Sequence, residues 1–286
     1  MKKTLLTICL VWMCFSLSAQ KIIDLSGKWS FSIDRQDNGE KEKWFSHTLN
    51  DFINLPGSMP EKLKGDEVTA KTQWTGSLYD SSYYYNPYME KYRKEGNIKF
   101  PFFLTPDKHY VGAAWYQKEV NIPADWKGER ILLFLERPHI ETTVWVNGQK
   151  TGMQNSLCVP HQYDITRYVR PGKCTITIRV DNRIKEINVG PDSHSITDQT
   201  QGNWNGIVGR ICLQTTPKTY FDDIQIYPEP EQKLARVKVV IKGTGTAKVK
   251  LSAESFNTDK KHIVPAIQQE IKLNKGVTET EMVLPM

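Results

Sequence analysis

Val144-Trp145-Val146-Asn147-Gly148-Gln149 reads as a β-strand running into a tight reversal. β-Branched and aromatic side chains suit a pleated, half-buried surface. Asn-Gly tolerates the positive φ that both central positions of a type I′ hairpin turn demand. The same alternation recurs outward from this point, at 28–33, 114–122, 130–135, 142–146, 174–180 and 207–213. It continues at 220–227, 236–241, 247–253 and 278–284. Lys127-Gly128, Pro171-Gly172 and the glycines from Gly243 to Gly245 punctuate these runs as turns. Short strands at such regular spacing predict an all-β chain.

The chain has 286 residues, enough for one large domain or two ordinary ones. Glycine and proline, at 18 and 15, are too near the average for a collagen-like or low-complexity chain. Met1-Lys2-Lys3, the apolar run 5–17 and the small residues Ser16, Ser18 and Ala19 read as a secretory signal peptide over 1–19. The run is too short to span a membrane, and no second apolar run follows. The protein is therefore expected outside the cytoplasm, secreted or periplasmic. Losing Lys2 and Lys3 lowers the net charge from +6 to +4, with both signs interspersed. No basic stripe is present to neutralise phosphates, so nucleic acid is not an expected partner. Cys158, Cys174 and Cys212 remain after cleavage, without zinc-ligand spacing. Cys174 and Cys212 lie in apolar runs as buried free thiols, or two of the three cysteines form one disulfide. No Gly-rich phosphate loop, HExxH or GxSxG motif occurs, and neither metal nor cofactor is expected.

Two long stretches, 60–109 and 183–203, interrupt the strand pattern. Loops of this length are usually functional or carry small structure of their own. The first holds Trp74, Tyr79, Tyr83, Tyr84, Tyr85, Tyr88, Tyr92, Phe100, Phe102 and Phe103. Asn86 as cap and Pro87 at the first position predict a short helix over 87–93. A boundary falls near Pro217, after which tryptophan disappears and Lys-rich strands take over. Four or five strands are expected in that tail, fewer than a seven-stranded sandwich needs, so its last module reads as unfinished at Met286.

Several segments, in order, resemble the N-terminal part of glycoside hydrolase family 2, the β-galactosidase, β-glucuronidase and β-mannosidase family. They are Leu25-Ser26-Gly27-Lys28-Trp29-Ser30-Phe31, Leu55-Pro56-Gly57-Ser58, Trp115-Tyr116-Gln117-Lys118 and the Val144–Gly148 stretch. Tyr163-Asp164-Ile165-Thr166, Gly202-Asn203-Trp204-Asn205-Gly206-Ile207 and Tyr220-Phe221-Asp222-Asp223-Ile224 complete the series. The resemblance implies a galactose-binding-like jelly-roll β-sandwich over 20–217, followed by a partial immunoglobulin-like β-sandwich over 218–286. It also implies a carbohydrate ligand, a β-glycoside, and a C-terminal (β/α)8 barrel as partner in a full-length protein. The family's barrel carries two catalytic glutamates, one of them in an Asn-Glu pair. No Asn-Glu dipeptide occurs here, and no strand–helix alternation that would close a barrel. The resemblance is thus to the non-catalytic front of a hydrolase. A stand-alone carbohydrate-binding module is the alternative, and a structural spacer a third reading that the long loop argues against.

In the family, jelly-roll loops touch the sugar held on the barrel. One contributing segment corresponds to Asp198-Gln199-Thr200-Gln201-Gly202-Asn203-Trp204. The acidic contact of β-galactosidases, two residues before the tryptophan, falls on Gly202, which leaves Asn203 or Asp198 as the substitute. Alternatively, Asn203 caps a turn and Trp204 packs under the sheet. A second family contact is an asparagine three residues before a glycine; His109 stands there, before Gly112, as a hydroxyl donor or an exposed loop histidine. Tyr84 and its neighbours offer faces for sugar C–H groups, or else pin the loop to the sandwich. Trp29, Trp115 and Trp145 read as core, and Asp164 as a turn former.

Overall fold

The computed structural model describes residues 21–75, 82–99, 105–185, 193–194, 197–198, 202–256 and 259–286. The signal-peptide reading of 1–19 lies outside the described residues, as do Gln199, Thr200, Gln201, Tyr79, Phe100, Phe102 and Phe103.

The chain is all-β, and every strand pairing is antiparallel. One sheet runs in the order Ile22–Asp24, Gly206–Thr216, Arg130–Pro138, His161–Asp164, with Gly57–Ser58 also on Gly206–Thr216. The other runs Gln149–Asn155, Glu141–Val146, Gly172–Asp181, Ala113–Ile122, Gly27–Asp34, Asp51–Leu55. Between them lies one core to which both contribute. Trp29, Phe31, Tyr116, Val144, Ile176 and Ile178 meet Leu133, Leu135, Ile211 and Leu213 there. Fully burying such a side chain contributes about 1.5–3 kcal/mol.

The Asn147-Gly148 turn has φ of 50° and 77°, and pairs Val146 with Gln149. Both positive values fit the type I′ geometry the dipeptide favours. All three tryptophans are buried as expected, Trp29 in the inter-sheet core and Trp115 and Trp145 in a second buried cluster on the opposite face of their sheet. There they pack on each other at 5.0 Å, with Trp44 and Phe45 over them. The period-2 alternation explains the split, because Trp115 and Tyr116 must point to opposite faces. Cys174 and Cys212 are buried and Cys158 exposed, all three as free thiols.

The chain leaves the first sheet at Thr216 and enters a separate sheet at Tyr220. That sheet has three strands, Tyr220–Glu229, Leu234–Glu254 and Ile263–Pro285, not the four or five expected. The expected turn at Gly243 to Gly245 is a bulge inside one continuous strand. The register shifts there, opposite Gly276, and all three glycines have positive φ. A bulge bends a strand without reversing it. Val237, Val239 and Ile241 before the bend share a buried cluster with Val249, Ile271 and Leu273 beyond it, so the long hairpin folds over on itself.

Candidate functional site

Four distant segments meet where the long loops join the sandwich. Asp198 is at their centre, with 1% of its surface exposed. Its Oδ1 accepts the Asn203 N–H at 2.5 Å and its Oδ2 accepts the Thr75 N–H at 2.6 Å. The Asp198 N–H donates to the Thr75 carbonyl, as does the Thr197 hydroxyl. His109 Nε2 lies 3.4 Å from Asp198 Oδ2, and the Trp74 ring packs on the imidazole at 4.7 Å. Asp198 thereby fastens the Thr75 segment, the Lys108–His109 strand and its own loop with one carboxylate. Backbone N–H groups to a carboxylate are among the stronger hydrogen bonds a protein makes.

Asparagines extend this clasp into the sheet. Asn203 Nδ2 donates to Thr75 Oγ1 at 3.0 Å and to the Asn182 carbonyl at 3.1 Å. Its Oδ1 accepts from Asn182 Nδ2 at 3.1 Å, which also donates to the Tyr110 carbonyl. Asn182 Oδ1 accepts the Gly112 N–H at 2.8 Å. Asn205 donates to the Gly112 and Val180 carbonyls and accepts from the Tyr116 hydroxyl at 2.7 Å. Both amide protons of each asparagine are used on the protein. Asn203, 3% exposed, therefore joins loops rather than presenting its amide to a ligand.

His139 follows the strand Arg130–Pro138, and its N–H donates to the Gly206 carbonyl. Its ring stacks on Trp204 at 4.5 Å and 15°. Burial pushes its pKa down to about 4, so the ring is neutral at ordinary pH. Its buried Nε2 has no hydrogen-bond partner among the described residues. Trp204 is only half-buried, so one edge of the stacked pair remains accessible.

Beside Asn182, the strand end is set in a balanced ionic network. Asp181 Oδ2 holds Arg179 at 2.9 Å, Arg183 at 2.6 Å and Lys185 at 2.8 Å. Asp37 and Glu141 complete it through Arg179, Arg183 and Lys185. Burial opposes ionisation of Asp181, but the Arg183 and Lys185 hydrogen bonds outweigh it and hold the carboxyl far below its usual range.

A cleft of about 330 Å³ opens next to the clasp, with Asp66, Glu67, Lys71, Gln73 and His109 on its walls. His109 is 6% exposed, buried rather than an exposed loop histidine, and Asp198 backs its ring. Tyr84 stands on the short helix Ser82–Tyr85, exposed and packed edge-on against Tyr83 at 5.1 Å. The structure thus gathers Asp198, Asn203 and His109 in one hydrogen-bonded group and seats Trp204 on the neighbouring His139. Thr75, Asn182, Asn205 and His139 were not legible as members. The available signal was polar residues at sheet-end positions, as in Val180-Asp181-Asn182 and Asn203-Trp204-Asn205, where alternation calls for apolar ones. Among the described residues, no group of three or more His, Cys, Asp or Glu side chains is placed to hold a metal. No described helix is long and apolar enough to cross a membrane.

An antiparallel β-sandwich whose polar cluster is assembled by loops at one end defines a domain that carries its site on a rigid scaffold. The chain belongs to glycosyl hydrolases family 2: the profile of that family's sugar binding domain matches residues 22–217. It is 24% identical over 266 residues to the β-glucuronidase of Homo sapiens, covering 83% of this chain and 35% of that protein. It is 25% identical over 222 residues to the β-glucuronidase of Paenibacillus borealis, covering 72% and 31%. The solved β-glucuronidase of an uncultured Clostridium species superposes with a TM-score of 0.55 at 19% identity, covering 94% of this chain and 40% of that one. The chain thus spans about a third of the length of these curated relatives.

Proposed function

We propose that this chain is the non-catalytic, sugar-recognising front of a secreted family 2 glycoside hydrolase acting on β-glycosides, of β-glucuronidase rather than β-galactosidase type. Residues 20–217 form its jelly-roll domain and 218–286 part of an immunoglobulin-like one, with 1–19 as the export signal. A C-terminal barrel supplies the two glutamates. The observation that carries the reading is the clasp: one buried carboxylate holds the loop segments in a fixed array beside a cleft of monosaccharide size. In this reading His109 and the open edge of Trp204 meet the sugar. Asp198 acts through His109 by fixing its tautomer, and leaves Nδ1, which has no partner among the described residues, for a hydroxyl. Preference for the uronide rests on the relatives reported above, which are named β-glucuronidases.

The deciding experiment reads the encoding gene past codon 286 and assays the complete product on p-nitrophenyl β-D-glucuronide and β-D-galactoside. A frame continuing into a barrel with an Asn-Glu pair, and turnover of the glucuronide, is the expected result. A stop after Met286 overturns it in favour of a stand-alone carbohydrate-binding module. That alternative draws on the cleft, which lies wholly within this chain. Calorimetric titration with methyl β-D-glucuronide then becomes its test.

A further inference from the structure

Residues 82–99, which lie between the cleft strands, present a group of exposed tyrosines. Tyr83 does the anchoring: it is 1% exposed and its hydroxyl donates to the Tyr92 carbonyl at 2.9 Å. The Arg93 guanidinium in turn donates to the Tyr83 carbonyl. Asn86 Oδ1 caps the 3-10 helix Pro87–Tyr92 by accepting the Tyr88 N–H at 3.0 Å, with Pro87 fixing the first turn. With residues 83–93 cross-braced by these internal hydrogen bonds, Tyr84, Tyr85 and Tyr88 stand 56%, 72% and 83% exposed within five positions. Single exposed rings are ordinary, but a group of them on a preorganised segment marks a contact surface.

Charge narrows the ligand. Residues 82–99 hold Lys91, Arg93, Lys94 and Lys99 against Glu90 and Glu95, a net +2 in 18 residues of a chain whose total is +6. Arg93 is committed to Tyr83, whereas Lys91, Lys94 and Lys99 are exposed. Lys94 pairs loosely with Glu90 at 3.2 Å, and Lys91 reaches over the Tyr92 ring at 4.9 Å. We propose that Tyr84, Tyr85 and Tyr88 with Lys91, Lys94 and Lys99 form a second carbohydrate surface that docks acidic glycan chains, polyuronates in particular. Tyrosine faces take the C–H side of each sugar ring, their hydroxyls bond ring substituents, and the lysines meet the carboxylates. The glycan class rests on the carbohydrate reading above; the acidic preference and the polymeric length rest on this segment.

Affinity electrophoresis of the intact chain through gels containing polygalacturonate tests the proposal, with neutral β-glucan gels and a DNA-shift assay beside it. Retardation by polygalacturonate alone is expected, and it weakens in 0.5 M salt as surface charges are screened by a Debye length about twofold shorter than at 0.15 M. Y84A/Y85A/Y88A should lose about tenfold in affinity. K91Q/K94Q/K99Q should lose binding to polygalacturonate while keeping an unaltered melting profile. Unchanged mobility, equal retardation by β-glucan, equal retention of DNA, or full retention by the tyrosine variant would each overturn the proposal. Polymer binding with flat monosaccharide heats would leave this surface standing and remove the cleft as a free-standing sugar site.

Discussion

At the scale of the residue, Asp198 shows how one buried carboxylate substitutes for secondary structure. Thr75 and Asn203 lie in segments without a ladder partner for these N–H groups, and the carboxylate accepts both. Asp198→Ala leaves two N–H groups and an imidazole without their acceptor, and should cost at least about 3 kcal/mol, since hydrogen bonds to charged groups contribute about 1.5–3 kcal/mol each. Urea denaturation of the two proteins measures this; a loss below 1 kcal/mol would show that the clasp is incidental. His139 gives a pH signature. Its folded pKa of about 4 lies below the unfolded value of 6.5, so the unfolded state binds the extra proton between them. The contribution is whole above pH 6.5 and declines by about 3 kcal/mol as pH falls toward 4. Buried His161, also shifted down by desolvation, acts with the same sign. Asp181, held low by its cationic partners, begins to add its own loss only below its unfolded value of 3.8. Denaturation midpoints at pH 7.5 and 4.5 should differ markedly in the native protein and less in His139→Phe. Equal pH dependence in both would assign the slope to other groups.

At the scale of the element, legibility followed the hydrophobic pattern. Central strands such as Ala113–Ile122 and Gly172–Asp181 announce themselves because both faces are buried and the runs are continuously β-prone. Gln149–Asn155, mostly polar, is an edge strand recognisable only from its turn, and Asp51–Leu55 and His161–Asp164 are too short to show a period. Gly243 to Gly245 misled because a bulge and a turn draw on the same residue type, and only the facing strand tells them apart. The candidate site was half legible. Polar residues next to Trp204 and before Gly112 stand out in a sequence, but several of the partners that consume their hydrogen bonds lie about 90 to 130 positions away. Gly206 bears on strand placement more sharply. At φ +144°, a Cβ there would sit 2.5 Å from the Gly57 carbonyl oxygen and 2.8 Å from Ser58 Cα. Both obstacles are backbone of the paired Gly57–Ser58 strand, so no rotamer relieves them. Gly206→Ala should therefore destabilise by about 3 kcal/mol through strain and overpacking. It should also disturb the His139–Trp204 stack, since the Gly206 carbonyl holds the His139 N–H. Tryptophan fluorescence and a thermal melt check both; a wild-type melting temperature would contradict the close approach.

At the scale of the whole molecule, the sandwich interior and the C-terminal hairpin have separate buried cores of unequal size among the described residues. The inter-sheet core draws on more than two dozen buried side chains from both layers, the hairpin core on seven. The smaller one is also open along one strand. Phe221, Ile224 and Ile226 pair with Ile241, Val239 and Val237 and so share their face, yet remain 51%, 50% and 64% exposed. Apolar burial is what resists local opening, so this strand belongs at the low end of the stability range within the molecule. Native-state hydrogen exchange should show amides of Tyr220–Glu229 exchanging fastest among the long strands. Leu234–Glu254 should be intermediate, and Ala113–Ile122 and Gly172–Asp181 slowest, near the limit set by global unfolding. Limited proteolysis should cut after about residue 218 while leaving the 21–217 sandwich intact, because the two clusters share no member. Protection of Tyr220–Glu229 equal to that of the central sandwich strands would mean that the two cores unfold as one cooperative unit, and that the exposed apolar strand is covered in solution.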